Sequence, residues 1–210
     1  MRNLIFDTLP ITVEIDGNTV PVAWGYRQMI LIEIEMFSDN SDAQKLLNAL
    51  NIFYLGQIPD NRKEAVEKLL WFYRCGEEPK SQGGSRRQRK DRAYDFEEDA
   101  NLFYAAYLQQ YGINLRATNN ADLHWWEFVA LMESLSEQTR LAKVMYWRTA
   151  ELNGLSKSEK TYIQKMRKIY ELKKKETADH RISLAKRNAD MKEYLKRRLK
   201  ECAEELAKKR

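Results

Sequence analysis

At 210 residues, 43% hydrophobic and 32% charged, the chain is long enough for one domain or two small ones, and too apolar to stay unfolded. No run approaches the ~18 apolar residues of a membrane span, and MRNLIFDTLP lacks the basic region, apolar stretch and cleavage site of a secretory signal. The net charge of +5 is uneven: residues 156–210 hold 19 of the 36 Lys/Arg and 9 of the 31 Asp/Glu, which leaves residues 1–155 acidic at 17 against 22.

The first predicted element is a β-hairpin. ITVEI (11–15) and NTVPVA (18–23) are β-prone runs around Asp16-Gly17-Asn18, and Asp-Gly between such runs favours a tight hairpin turn. Pro21 restricts the second strand to a sheet edge. Two strands alone are marginal, so the ribbon is expected against the helices that follow.

From Tyr26 the period changes to helical. Met29, Ile32, Met36 and Phe37 mark one helix ending near Ser38-Asp39-Asn40, and Leu46, Leu47, Leu50 and Phe53 mark a second from Asp42. Asp60 is the expected cap of a third, with Ala65, Leu69, Phe72 and Tyr73 as its stripe. Residues 76–93, GEEPKSQGGSRRQRKDRA, contain no bulky apolar residue and read as a flexible basic linker.

Asp95 is the expected cap of a fourth helix carrying Leu102, Phe103, Ala106, Leu108 and Tyr111, with Gly112 as its stop. A fifth is expected from Asp122 to Leu135. Ser134 or Ser136 is the expected cap of a sixth, which includes Leu141, Val144, Met145, Trp147 and Leu152. Asn153-Gly154 breaks the chain, and Ser156 with Glu159 forms a capping-box pattern for a seventh helix through Tyr162, Ile163, Met166 and Tyr170. No Gly or Pro follows Gly154. Leu184, Met191, Leu195, Leu199, Cys202 and Leu206 make a nearly heptad stripe on an otherwise charged segment. Such a thin stripe usually needs a partner to fold against, so Leu184, Met191, Leu195, Leu199 and Leu206 are candidate partner-binding residues.

The fold class is therefore mainly α, with a small N-terminal β-hairpin, a helical bundle and a long basic C-terminal helix. The expected organisation is 1–75 (hairpin plus helices), 76–93 (linker), 94–155 (central bundle) and 156–210 (basic extension). Whether the first and third regions pack as one domain stays open at this stage.

Few motifs carry chemistry. His124-Trp125-Trp126 reads either as a ligand platform with a catalytic histidine or as helix packing. Packing is favoured: Trp125, Val129, Met132 and Leu135 share a helical face, Phe128 lies beside it, and Trp126 and Ala130 flank it. A catalytic His needs an orienting acid and a nucleophile, and a metal needs further ligands; the second histidine is His180 in the polar tail. The expected core set is Trp125, Trp126, Phe128, Met132 and Leu135.

Asp95, Glu97, Glu98 and Asp99 lack the alternation of a calcium loop and read as helix-start acids. Arg86, Arg87, Arg89 and Lys90 offer phosphate contacts, but a solvated linker is the simpler account, and no recognition helix or single-strand-binding aromatic pattern accompanies them. Cys75 and Cys202 form neither a disulfide framework nor a CxxC site. No GxxxxGK[ST], GxGxxG, HExxH or GxSxG occurs. Neither an enzyme nor a cofactor is expected.

The order of features is more distinctive than any one of them. VEIDGNTVPV, YRQMILIEIEMF, YDFEEDANLFYAAYLQQYGINL, ADLHWWEFVALMESL, YWRTAEL and KTYIQKMRKIYEL follow one another over residues 8–172. This series resembles the bacteriophage gene-product-fifteen-type family of tailed phages and prophages. The resemblance implies a tail-assembly chaperone encoded beside the tape-measure protein, which coats that long helical client in the host cytoplasm until tube subunits replace it. It implies no catalytic residue. The basic extension beyond Leu172 departs from the family's common pattern. An acidic body with a basic tail also suggests contacts between copies; a stop after Leu172 is expected to leave a folded body but smaller assemblies in light scattering. The competing readings are a structural virion component of the tail-terminator or connector type and, less favoured, a nucleic-acid-binding protein.

Overall fold

A computed structural model describes residues 4–77, 92–117 and 123–172. These residues form a two-stranded hairpin and seven helices: β1 (Thr12–Ile15), β2 (Asn18–Pro21), α1 (Tyr26–Met36), α2 (Asp42–Phe53), α3 (Arg62–Tyr73), α4 (Ala100–Tyr111), α5 (Trp125–Glu133), α6 (Arg140–Thr149) and α7 (Lys157–Ile169). All lie in one compact unit that runs to Lys173. The expected stripe Leu184, Met191, Leu195, Leu199 and Leu206, with Cys202 and His180, falls outside the described residues. So do Arg86, Arg87, Arg89 and Lys90 of the expected linker.

The hairpin forms where Asp16-Gly17 predicts it. The strands pair antiparallel from Thr12↔Pro21 to Ile15↔Asn18. Asp16 and Gly17 take φ of 50° and 74°, the left-handed pair that a tight hairpin turn requires. Val13 and Ile15 point inward and are buried, while Glu14 between them is exposed, the period-2 pattern of a half-buried ribbon. The start of α3 holds the turn in place. Asn61 Nδ2 donates to Asp16 Oδ1 (2.7 Å), and the Asp16 N–H donates to Glu64 Oε2 (3.1 Å).

Helix α2 begins where expected, with Ser41 accepting the Gln44 N–H. Helix α4 ends at Gly112, whose φ is 67°, and α7 carries the Ser156–Glu159 capping box. Other helix starts differ from the sequence expectation. Asn61, not Asp60, caps α3, because its side chain also meets the hairpin turn. Asp95 accepts the N–H groups of Glu97 and Glu98 at 2.8 and 3.1 Å, so it closes a turn before α4, which begins at Ala100. Thr139, not Ser134 or Ser136, caps α6. Ser134 instead ends α5, and the Ser136 N–H is taken by Gln110 Oε1 at 2.8 Å.

One continuous core runs from Val13 in the hairpin to Leu141 in α6. It includes residues from both sides of 78–91, so the first and third predicted regions share a single interior. Phe53, Phe72, Tyr107, Phe128, Met29 and Leu141 are each essentially inaccessible. Met36, Phe37, Leu46 and Leu47, all expected on inward stripes, are exposed. Residues 36 and 37 lie at the end of α1, past the turn that meets the core, and the Arg92 guanidinium covers the Phe37 ring at 3.6 Å. A smaller cluster of Val144, Trp147 and Ile163 joins α6 to α7.

Candidate interaction surface

The His124-Trp125-Trp126 segment is internal. Helix α5 starts at Trp125, not at Asp122, which lies outside the described residues, and His124 is its cap. The backbone explains the boundary. Gly25 and His124 form an isolated antiparallel bridge, the Trp125 N–H donates to Trp24 O at 2.9 Å, and the Tyr26 N–H donates to Leu123 O at 3.1 Å. The starts of α1 and α5 are thereby stitched together, and residues 123–124 are extended.

His124 Nδ1 accepts the Trp126 N–H at 3.0 Å, and Glu127 Oε2 accepts the His124 N–H at 3.0 Å. With Nδ1 accepting, the proton sits on Nε2, which donates to Pro10 O at 2.9 Å. Burial holds the imidazole below its ordinary pKa, against the opposing pull of the Pro10 hydrogen bond and Glu127. Both ring nitrogens are committed to backbone, so this histidine serves as a neutral cap.

The two indoles clamp the end of α3. Trp125 Nε1 donates to Tyr73 O at 3.0 Å and Trp126 Nε1 to Phe72 O at 2.9 Å. These carbonyls belong to the last turn of α3, where the i→i+4 ladder runs out, although Phe72 O also takes the Cys75 N–H at 3.0 Å. Gly76, at φ 79°, lies so close that an added Cβ would sit 2.9 Å from the Trp126 ring. Phe128 packs at the centre, with ring centroids of Tyr107, Tyr26 and Trp125 at 4.8, 5.1 and 5.6 Å. Trp125, Trp126 and Phe128 are buried, whereas Met132 and Leu135 are half-buried against the core. Leu135 lies past the end of α5 and so leaves the helical face predicted for it.

The acids before α4 are also structural. Asp99 is buried and receives a bidentate pair from Arg148 at 2.5 and 3.0 Å. Arg148 further donates to Tyr170 O (2.7 Å) and Ala93 O (3.1 Å), so one guanidinium ties α6 to the approach to α4 and to the segment after α7. Arg92 pairs with Asp95 at 2.8 Å. Buried Glu33 accepts a 2.5 Å hydrogen bond from Tyr73, and desolvation raises its pKa against that bond. Desolvation, aided by Glu133 and Glu77, pushes the Cys75 thiol up to about 12, leaving almost no thiolate at neutral pH. Among the described residues no group of three or more His, Cys, Asp and Glu is placed to hold a metal.

Among the described residues, two surface cavities have largely aromatic and aliphatic linings. A cavity of about 460 Å³ lies over Tyr26, Arg27, Ile30, Phe103, Tyr104 and Arg116. Arg27 on its wall is engaged by Leu115 O at 2.7 Å, and the chain beyond Ala117 runs into residues outside the description. A second cavity, of about 410 Å³, lies between α6 and α7. Trp147, Leu155, Ser158, Glu159 and Ile163 line it. Its rim tyrosines, Tyr146 and Tyr162, are each 54% exposed. No periodicity marks this groove, because its lining comes from two helices.

A profile of the family described as Bacteriophage Gp15 protein matches residues 5–172. The chain belongs to this bacteriophage family. The match ends where the described helical body ends, and the last 38 of the 210 residues lie outside both. Comparison with curated proteins and with solved structures finds no match. No described helix is long and apolar enough to cross a membrane.

Proposed function

We propose that this Gp15-family protein is a tail-assembly chaperone, which binds the tape-measure protein in the host cytoplasm during tail morphogenesis and is absent from the finished virion. It acts by binding alone, without catalysis or a cofactor. The family membership over residues 5–172 supports a role in the phage. The observation that carries the chaperone reading is the open aromatic groove between α6 and α7 on a body whose histidine and buried acids are committed to structure. An apolar helical client needs such a groove rather than a pocket of tuned acids. The basic extension is a second contact, to acidic surfaces of the client or of other copies.

The test is co-expression with the tape-measure protein of the same genome, affinity capture, and mass spectrometry of purified virions. The expected result is a soluble complex and no copy in virions. A fixed copy number in virions would make the protein a structural tail component instead.

A further inference from the structure

We infer that copies of this chain associate head to tail, the acidic corner between α1 and α2 of one copy seating in the arginine-lined cavity at the start of α1 of the next. This does not depend on the chaperone reading. The cavity of about 460 Å³ has Ile30, Phe103 and Tyr104 in its lining, and the charged residues there are Arg27 and Arg116, with no acid. Arg27 is half-buried, and its hydrogen bonds go to neutral oxygens: Tyr26 Oη at 3.0 Å, Leu115 O at 2.7 Å and Ala117 O at 3.5 Å. Arg116 is exposed. Two guanidinium groups on an otherwise apolar lining favour carboxylates carried beside aliphatic side chains.

The other end of α1 has the complementary chemistry. Glu35 accepts from Asn40 Nδ2 at 2.8 Å and from Asn48 Nδ2 at 2.9 Å, which lays the end of α1 against the first half of α2. At this corner Met36, Leu46 and Leu47 are 45%, 38% and 45% exposed, and Asp39 and Asp42 are exposed beside them. Two cations approach the corner, and each already faces an acid: Lys45 acts on Glu35, and Arg92, over the Phe37 ring, pairs with Asp95. The ion pairs found among the described residues are Lys63–Glu67, Arg92–Asp95 and Arg148–Asp99, and none uses Arg27, Arg116, Asp39 or Asp42. The cavity and the corner sit at opposite ends of one 11-residue helix, about 16 Å apart, so they cannot meet within one copy. A second copy brings them together. Because the two faces differ, the contact is heterologous and repeats into a ring or an open filament.

The test uses two variants of the full-length chain in analytical ultracentrifugation. One is Arg116→Glu, which spoils the cavity and leaves the corner intact. The other is Asp39→Lys with Asp42→Lys, which spoils the corner and leaves the cavity intact. All three positions are exposed, so the melting curves should match the parent. The parent chain should form oligomers, and each variant alone should associate at least about tenfold more weakly. Mixed together, the variants retain one intact pair of faces between them and should give a discrete dimer. A parent chain that stays monomeric up to its solubility limit would overturn the inference. So would either variant assembling as the parent does, which would place the contact elsewhere, or a mixture that forms no dimer.

Discussion

The body contains two kinds of interior. Around α1–α5, rings stack on rings, and their polar edges are taken by backbone carbonyls far away in sequence: Tyr107 to Phe128 O, Tyr54 to Ala65 O, Trp126 to Phe72 O. Around α6–α7, the smaller cluster has three buried residues, Val144, Trp147 and Ile163, and arginines carry much of the remaining linkage through Arg148 and Arg167. The first interior is redundant and sets one rigid arrangement. The second is thin and leaves an aromatic groove open. Local stability follows such differences in burial, so the two regions should part company under stress, with the groove on the softer side.

The sharpest way to break this comparison is in the aromatic interior. Trp126→Ala should lower unfolding free energy by about 3–5 kcal/mol, with the whole helical signal lost in one urea transition. Retained stability with lost client binding would instead make the tryptophan pair a binding surface. Nearly as large is Arg148→Met. It leaves the Asp99 carboxylate buried without its bidentate partner, a loss of about 3–5 kcal/mol, and Asp99→Leu in the same chain should recover part of it. Ile163→Ala is expected to cost about 2 kcal/mol, felt locally. Amide exchange in α7 should speed up while amides of α5 keep their protection, and equal acceleration in both would merge the two interiors.

The smallest effect is titration of His124. Its folded pKa lies below the ordinary 6.5, so below that value the unfolded chain binds the extra proton and stability falls as pH falls. His124→Asn keeps a capping side chain and should flatten this part of the pH profile. An unchanged slope would assign it to groups other than His124; Glu33, whose raised pKa acts with the opposite sign, cannot supply it.

The hairpin and the central spans of the helices were legible because Asp-Gly turns and 3.6-residue periods are local signals. Caps were less legible. Asp60 and Asn61 are equally good by type, and the choice fell to Asn61 because the hairpin turn sits beside it. His124 escaped notice as a cap because its acceptor role depends on Pro10, 114 residues away. The Arg148–Asp99 pair spans 49 residues, and nothing periodic announces it. The packing role of the tryptophans followed from their spacing, but their clamp on the α3 carbonyls did not, since that contact crosses residues 78–91. The groove rim was invisible for the same reason, as it exists only once two helices are laid side by side.

The indole clamp has one more consequence. Trp125 and Trp126 hold the carbonyls of Tyr73 and Phe72 directly, so residues before 78 and after 91 recognise each other through their own surfaces. A chain cut between these segments is thus expected to give complementing fragments, checked by whether the two co-purify after separate expression.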